Sequence, residues 1–285
     1  MSSIIIPYEN MTWVELNSLD RDKTVILVAV APIEQHGHHL PLGTDFFECI
    51  FIVESVGKKI KENIADLNVL RYPPIPVGTG TMDKTGTVEF GQETVKNIIF
   101  ELGESLAIYG FKHIIVFGCH GAPTFAVAIE EACEELNKKY GDIIFPPMGY
   151  CLSQIFSSRT QDAPEEILQM VGRFPKDWHA GYMETSMMLN INPELVKDYR
   201  KCEPVEVDVI KLLDRKAADK YGKGLGHFGY PAQSSKQLGK LMLKYTIETL
   251  TKMSINFLKR ENYKQYMHTP YWNLPHLRTK SENQR

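Results

Sequence analysis

Thr24–Val30, TVILVAV, is a short run of mostly β-branched apolar residues with no polar alternation. Such a run is apolar on both faces, so it reads as a strand buried on both sides. Further strands are expected at residues 69–75, 113–117 and 142–145. Between them lie segments with helical apolar spacing. One starts near Thr44, a candidate N-cap, and another spans 92–109, with Val95, Ile98, Ile99, Leu102 and Leu106 on one face. A third, 123–138, opens on Pro123, which suits a first helical turn. Residues 77–91, rich in Gly and Thr, read as a loop. Later helices are expected near 165–171, 181–190, 209–221 and 234–258. Alternating strands and helices predict an α/β fold: three α/β/α layers around a mostly parallel central sheet.

The 285 residues carry no internal repeat and no low-complexity linker, so 1–285 is expected to be a single domain. Residues 264–285 are expected to form a C-terminal arm, extended over this subunit or a neighbour, with a polar, disordered end from 280. Charged residues make up 24% and the formal net charge is −3, which argues against a nucleic-acid or acidic-membrane partner. No apolar run is long enough to span a bilayer, and the N-terminus does not read as a signal peptide. Five scattered cysteines with no C-x-x-C pair suit reduced thiols and a cytoplasmic location.

The polar chemistry is concentrated in residues 31–45, APIEQHGHHLPLGTD, directly after the first long strand. In extended chain, Glu34 and His36 project to one side, roughly 7 Å apart at ~3.3 Å per residue. Side chains of that length can converge on one ion at ~2.0–2.2 Å. Asp45, at a helix start, can reach in from the other side of the loop. His38 and His39 suit a surface role better. A second cluster, Gly118-Cys119-His120-Gly121, follows the strand HIIVF, and the flanking glycine leaves His120 free to approach an ion. A third, around His179 and Glu184, puts a carboxylate on a helix that continues Met187, Met188, Leu189, where it needs a partner if buried.

The segment Glu34-Gln35-His36-Gly37-x-His39-Leu40-Pro41-Leu42-Gly43-Thr44-Asp45 resembles the signature of the creatininase (creatinine amidohydrolase) family. The likeness continues through Thr85-Gly86-Thr87, Tyr109-Gly110-Phe111-Lys112, His120-Gly121, His179-Ala180-Gly181, Glu184-Thr185-Ser186, Gly226-x-x-Gly229-x-Pro231 and Gly239, about residues 10–255. The resemblance implies an α/β/α fold, often in a homo-oligomer, with one or two divalent metals per chain. The implied ligands are Glu34, His36, Asp45 and His120, with Asp45 bridging if two ions are present. Glu184 matches the family's glutamate on the later helix, as ligand or acid–base group. One departure is informative. Creatinine-hydrolysing members carry Tyr, a metal-binding Glu and Asn after the strand-end histidine, whereas this chain has Gly121, Ala122 and Pro123. Creatinine is therefore not the expected substrate.

Three carboxylates brought together need compensating positive charge, which divalent ions supply. The mixed imidazole and carboxylate set suits zinc first, with manganese or iron as alternatives. The expected function is hydrolysis, by a metal-activated water, of a cyclic amide, formamide or related C–N bond in a small polar substrate. His179 is the first candidate for the acid that protonates the leaving group, with Glu184 the alternative. Hydrolytic opening of a cyclic ketone, from inositol or sugar breakdown, uses the same chemistry. A metal-stabilised binding protein without turnover is the reading from another class. A Cys119 nucleophile is a weaker one, since it needs His120 free of metal. The G-x-G-x-x-G at Gly224, Gly226 and Gly229 follows a helical stretch, so it reads as a loop at the site or a subunit contact, with His227 solvated or supporting the site.

Overall fold

The computed structural model describes residues 5–156 and 163–279. The order of elements is β1 (Ile6–Pro7), α1 (Trp13–Ser18), β2 (Thr24–Val30), α2 (Thr44–Asn63), β3 (Asn68–Arg71), α3 (Gln92–Ile108), β4 (Ile114–Gly118), α4 (Pro123–Tyr140) and β5 (Ile144–Phe145). There follow α5 (Pro147–Phe156), α6 (Glu165–Arg173), α7 (Tyr182–Ile191), α8 (Ala217–Lys220) and α9 (Lys236–Lys259), with short 3-10 turns between and after them. The strands form one parallel sheet in the order β1-β3-β2-β4-β5. This is the α/β/α architecture expected from the alternating pattern.

The two-residue period of β2 divides the apolar side chains between two layers. Val25, Leu27 and Ala29 pack with Cys49, Ile52, Val53, Val56 and Ile60 of α2 and with the apolar stripe of α9. Ile26, Val28 and Val30 face α3 and α4, against Val95, Ile99, Phe125, Ala128 and Leu136. Each such side chain stabilises the fold by about 1.5–3 kcal/mol through burial. The sheet is thus pinned from both sides, and its strand ends are rigid supports. The chain steps outward from β2 to β3, then crosses back to place β4 on the other flank of β2. The carboxyl ends of β2 and β4 therefore bound the point where strand order reverses, the place where open α/β sheets form their crevice.

Several expectations are corrected. The strand expected at 69–75 ends at Arg71, because Pro73 and Pro74 cannot donate to a ladder; a single bridge then joins Ile75 to Val30. Gly43, not Thr44, caps α2, and the Thr44 hydroxyl donates to the Pro41 carbonyl instead. The helix expected over 209–221 is a 3-10 segment, Val209–Leu213, and the short α8. Asp214 interrupts it by accepting the Lys216 amide at 3.0 Å, an Asx-type turn. The arm is not extended. It folds as 3-10 turns, two of them opened by Pro270 and Pro275, and is tied to α4 through the Thr269 amide and Glu130 (2.7 Å). Residues 280–285 lie outside the described residues. No helix among the described residues is long and apolar enough to cross a membrane.

Candidate metal centre

The segment after β2 turns back on itself. Gly37 adopts φ +69°, the Glu34 amide donates to the Leu42 carbonyl, and His36 pairs with Leu40. The loop over 77–91 braces this turn from outside, since the Gln35 amide donates to Thr87 Oγ1 and the Met82 amide to Glu34 Oε1 at 2.6 Å. Glu34 and His36 are consequently buried, and α2 delivers Asp45 from its first turn. His120 enters from the end of β4, and Glu184 from the first turn of α7.

These side chains converge. His120 Nδ1 lies 3.1 Å from Asp45 Oδ2 and 3.3 Å from Glu34 Oε2. His36 Nε2 lies 3.3 Å from Asp45 Oδ1 and 3.9 Å from Glu184 Oε2. Two triplets of possible ligand atoms result, Glu34/Asp45/His120 and His36/Asp45/Glu184, each with its atoms within 4.8 Å of one another, and Asp45 belongs to both. Glu34, His36 and His179 form a third such triplet.

The donor set fits a cation. His36 Nδ1 is 3.0 Å from the Glu34 carbonyl, an acceptor only, so Nδ1 carries a proton and Nε2 is the atom turned toward the carboxylates, available to an ion once its own proton is lost. Buried Glu34 Oε2 and His36 Nε2 have no hydrogen-bond partner. Buried polar atoms are seldom left so, and a divalent ion among them satisfies both.

The electrostatics agree. Burial, opposed by His120 and His36, pushes the Glu34 carboxyl up to about 7. Burial works against the charged form of His120 too, but Glu34 and Asp45 outweigh it and hold the imidazole up to about 9. Burial raises Asp45, yet His36 and His120 bring it well below the usual carboxylate range. Without a metal the cluster holds protons in its place, as expected for ligands that must lose them on binding.

His179 stands beside this cluster, its ring 4.4 Å from that of His36. Its Nε2 is 2.8 Å from the Gln35 carbonyl and 3.2 Å from the Gln35 side-chain nitrogen; the shorter contact is to a pure acceptor, which assigns the proton to Nε2. Burial and the neighbouring His36 keep the ring neutral, well below the usual histidine range. Glu184 is different. Its side chain is 22% exposed, and burial holds its carboxyl above the ordinary value.

Above the cluster opens a cleft of about 190 Å³, whose lining includes Glu34, His120, His179, Glu184, Trp178 and Arg215. Gly121, Ala122 and Pro123 also face it and bring no carboxylate, and Glu184 is the carboxylate near His36 and Asp45 on that side.

Other sequence expectations need revision. His39 is buried, with Nε2 2.8 Å from Thr185 Oγ1, because the tight turn at Gly37 folds it inward; His38 is exposed. His227 is buried rather than solvated, bound to the Glu203 carbonyl, in a loop whose Gly226 packs against Gln35. Cys119 is a buried thiol pushed well up by burial, the opposite of an activated nucleophile.

Two residues at the site went unmarked in the sequence. Asp177 accepts the amides of Tyr182, Met183 and Tyr230 at 2.9–3.0 Å, joining the start of α7 to the strand-like segment at 229–230. The Asp-x-x-x-Gly spacing before an apolar helix was the available signal. Glu48, one turn after Asp45, is buried with Oε1 unpartnered in a smaller cavity behind the cluster.

The family model described as "Creatininase: Creatinine amidohydrolase" matches residues 9–254. Among curated relatives, a mycofactocin precursor peptide peptidase of Mycobacterium ulcerans is 28% identical over 175 residues, 60% of each chain. A creatinine amidohydrolase of Pseudomonas putida is 23% identical over 210 residues, 65% of this chain and 72% of that one. The match to the first of these thus spans about three fifths of its length. A mutant creatininase complexed with creatine superposes with a TM-score of 0.69 at 19% identity, covering 90% of this chain and 99% of the other. A manganese creatininase gives 0.67 at 20%, covering 89% and 98%.

Proposed function

The chain belongs to the creatininase family, and from that premise we propose that it is a metal-dependent hydrolase of an amide-like C–N bond in a small polar substrate other than creatinine. The observation that carries the reading is the pair of ligand triplets sharing Asp45 at the floor of a cleft. The printed activities of two relatives, a peptidase and an amidohydrolase, both break amide bonds, which favours C–N cleavage over ring opening of a ketone.

In this reading Glu34, His120 and Asp45 would hold one ion and His36 with Asp45 a second, which leaves Glu184 beside His36 free to carry a proton. A divalent ion bound there supplies Lewis acidity toward a carbonyl and lowers the pKa of water. The surrounding residues do the rest. The Met82 amide fixes the Glu34 carboxylate, and the Glu34 carbonyl fixes the His36 tautomer. His179 is neutral with its proton tied to Gln35, so it positions a substrate group through its other nitrogen. Glu184 faces the cleft with a carboxyl that holds a proton above the usual range, and it takes the role of acid for the leaving nitrogen. That reassigns to Glu184 the role first given to His179.

The test is elemental analysis of purified protein, followed by chelation and assay on cyclic amides, formamides and creatinine. One or two equivalents of zinc, manganese or iron, activity lost on chelation, and negligible creatinine turnover are expected. Full activity in metal-free protein sinks the proposal, and creatinine turnover equal to that of any other substrate sinks its substrate clause.

A further inference from the structure

Among the described residues, the cleft lining outside the metal cluster carries no carboxylate. It carries Arg215, set at the end of the apolar turn Val209–Leu213, with Tyr271 of the arm also on the lining. Val209 and Leu213 are more than half exposed, unusual for large apolar side chains beside a cleft unless a ligand covers them.

Arg215 is held by one edge. Its Nε lies 3.4 Å from the Thr81 carbonyl and 3.9 Å from Glu89 Oε1. Glu89 pairs with the guanidinium only loosely and only through Nε, while its oxygens accept the amides of Gly80 and Thr81 at 3.1 and 3.0 Å. Among the described residues, no partner engages the two terminal amines of Arg215. A planar fork with one edge anchored and the other open matches a carboxylate.

The distance to the reacting centre follows from one peptide unit. The Thr81 carbonyl accepts from Arg215, and the Met82 amide of the same unit donates to Glu34 Oε1 at 2.6 Å. With carbonyl oxygen and amide nitrogen about 2.3 Å apart in a planar peptide, Arg215 Nε lies at most about 8 Å from the Glu34 carboxylate. A short carbon chain spans that gap.

We propose that Arg215 is a specificity-determining residue that binds a substrate carboxylate, so that the cleft takes small amides bearing an anionic end and an apolar body against Val209, Leu212 and Leu213. The inference rests on the amide-hydrolase reading for its reaction, but the recognition is testable apart from it. The probes are N-formyl-leucine and its neutral counterpart N-formyl-leucinamide. Each is titrated calorimetrically into protein as purified, into Arg215→Met and into Arg215→Lys, with formate release followed in parallel.

N-formyl-leucine should bind at least about 10-fold more tightly than the amide, as expected of a charge-assisted hydrogen-bonded pair. Arg215→Met should bring the two probes to the same affinity, a loss of roughly 10- to 100-fold for the carboxylate. Arg215→Lys should recover part of the preference, since it keeps the charge and loses the fork. Equal binding of the two probes to the wild type, or no binding of N-formyl-leucine, overturns the proposal. A preference that survives in Arg215→Met also overturns it and places the carboxylate on the metal cluster. An Arg215-dependent preference without formate release upholds the recognition and counts against the hydrolase reading.

Discussion

The floor and the wall of the cleft are built differently. The floor comes from strand ends and helix starts: Glu34 and His36 follow β2, His120 follows β4, and Asp45 opens α2. Each is buried or nearly so and positioned by elements whose apolar faces are locked into the sheet core. The wall comes from irregular chain: Trp178 and His179 before α7, the turn ending at Arg215, and Tyr271 of the arm. It is held by side chain-to-backbone bonds rather than ladders, with Asp177 and Glu130 as the buried clasps. A rigid floor suits a fixed charge arrangement, and an irregular wall suits substrate selection. On the proposed reading, the reaction and its specificity fall on separable parts of this chain.

The largest effect that follows should come from the floor. Asp45 offers one oxygen to each ligand triplet, so Asp45→Ala should empty both positions. Metal content measured by elemental analysis should fall to background, and activity with it, beyond the roughly 10²–10⁴-fold expected from losing a single acid–base group. A variant that keeps its metal and its rate would erase the distinction between floor and wall.

Next comes the boundary between the two. Glu184→Gln should lower kcat by ~10²–10⁴-fold, if the carboxyl delivers the proton. His179→Ala should retain the metal and lower kcat less, about 10-fold, because its part is positioning. Metal loss in His179→Ala would make it a ligand beside Glu34 and His36, the third triplet of the site. A larger kcat effect at His179 than at Glu184 would return the proton to His179.

The floor was legible in the sequence because it is local. Of its candidate ligands, Glu34, His36 and His120 sit within a few residues of strand runs whose apolar pattern identifies them, and the motif from Glu34 runs on without interruption to Asp45. The parallel sheet was legible for the same reason, from TVILVAV and the helical stripes around it. The two-residue strands β1 and β5 were hard to bound, because their pairing depends on neighbours distant in sequence. The helix α1 did leave a trace: Thr12 and Glu15 form a reciprocal capping box. The wall was less legible. Arg215 meets Thr81 across 134 positions, and Asp177 meets Tyr230 across 53. Burial of His39 and His227 depends on the Gly37 turn and the Gly226 loop meeting, which no local pattern records.

The clasp of the wall gives a stability prediction. Asp177 satisfies three buried amides, and its carboxylate fills the space that Gly181 and Gly229 leave by lacking a Cβ. Asp177→Ala should cost about 3 kcal/mol in chemical denaturation, from amides left unpaired and a void left open. Metal content should stay near that of the wild type, since Glu34, His36, Asp45 and His120 have no bond to Asp177, and of the residues around the cluster only Glu184 and His179 sit on the segment it clasps. Coincident loss of metal and of stability would show that floor and wall fold as one unit.

The smallest effect concerns protons held where the metal belongs. In metal-free protein Glu34 is raised from 4.5 to about 7 and His120 from 6.5 to about 9. A group whose pKa is raised on folding contributes stability that is fully present below its unfolded value and is lost as pH rises through the folded value. For Glu34 that loss runs from about 4.5 through 7, and for His120 from about 6.5 through 9, so both act in one direction. Asp45 is lowered on folding, and its contribution is already complete above 3.8, so it does not oppose the trend in this window. The contribution of Glu34 and His120 to the chelated protein should therefore fall from pH 6 to pH 9. It is read as the difference from zinc-loaded protein, because Asp177 and Glu130, raised to about 7 and 8, steepen the absolute curve while the lowered His39 and His179 oppose it. Zinc replaces those protons, so the gap in Tm between the loaded and chelated protein should widen with pH. The Arg215→Met variant, altered only in the wall, should show the same two curves. A gap that stays constant or narrows over this range would mean that the floor does not depend on these protons, and the compensation argued for Glu34 and His120 would be wrong.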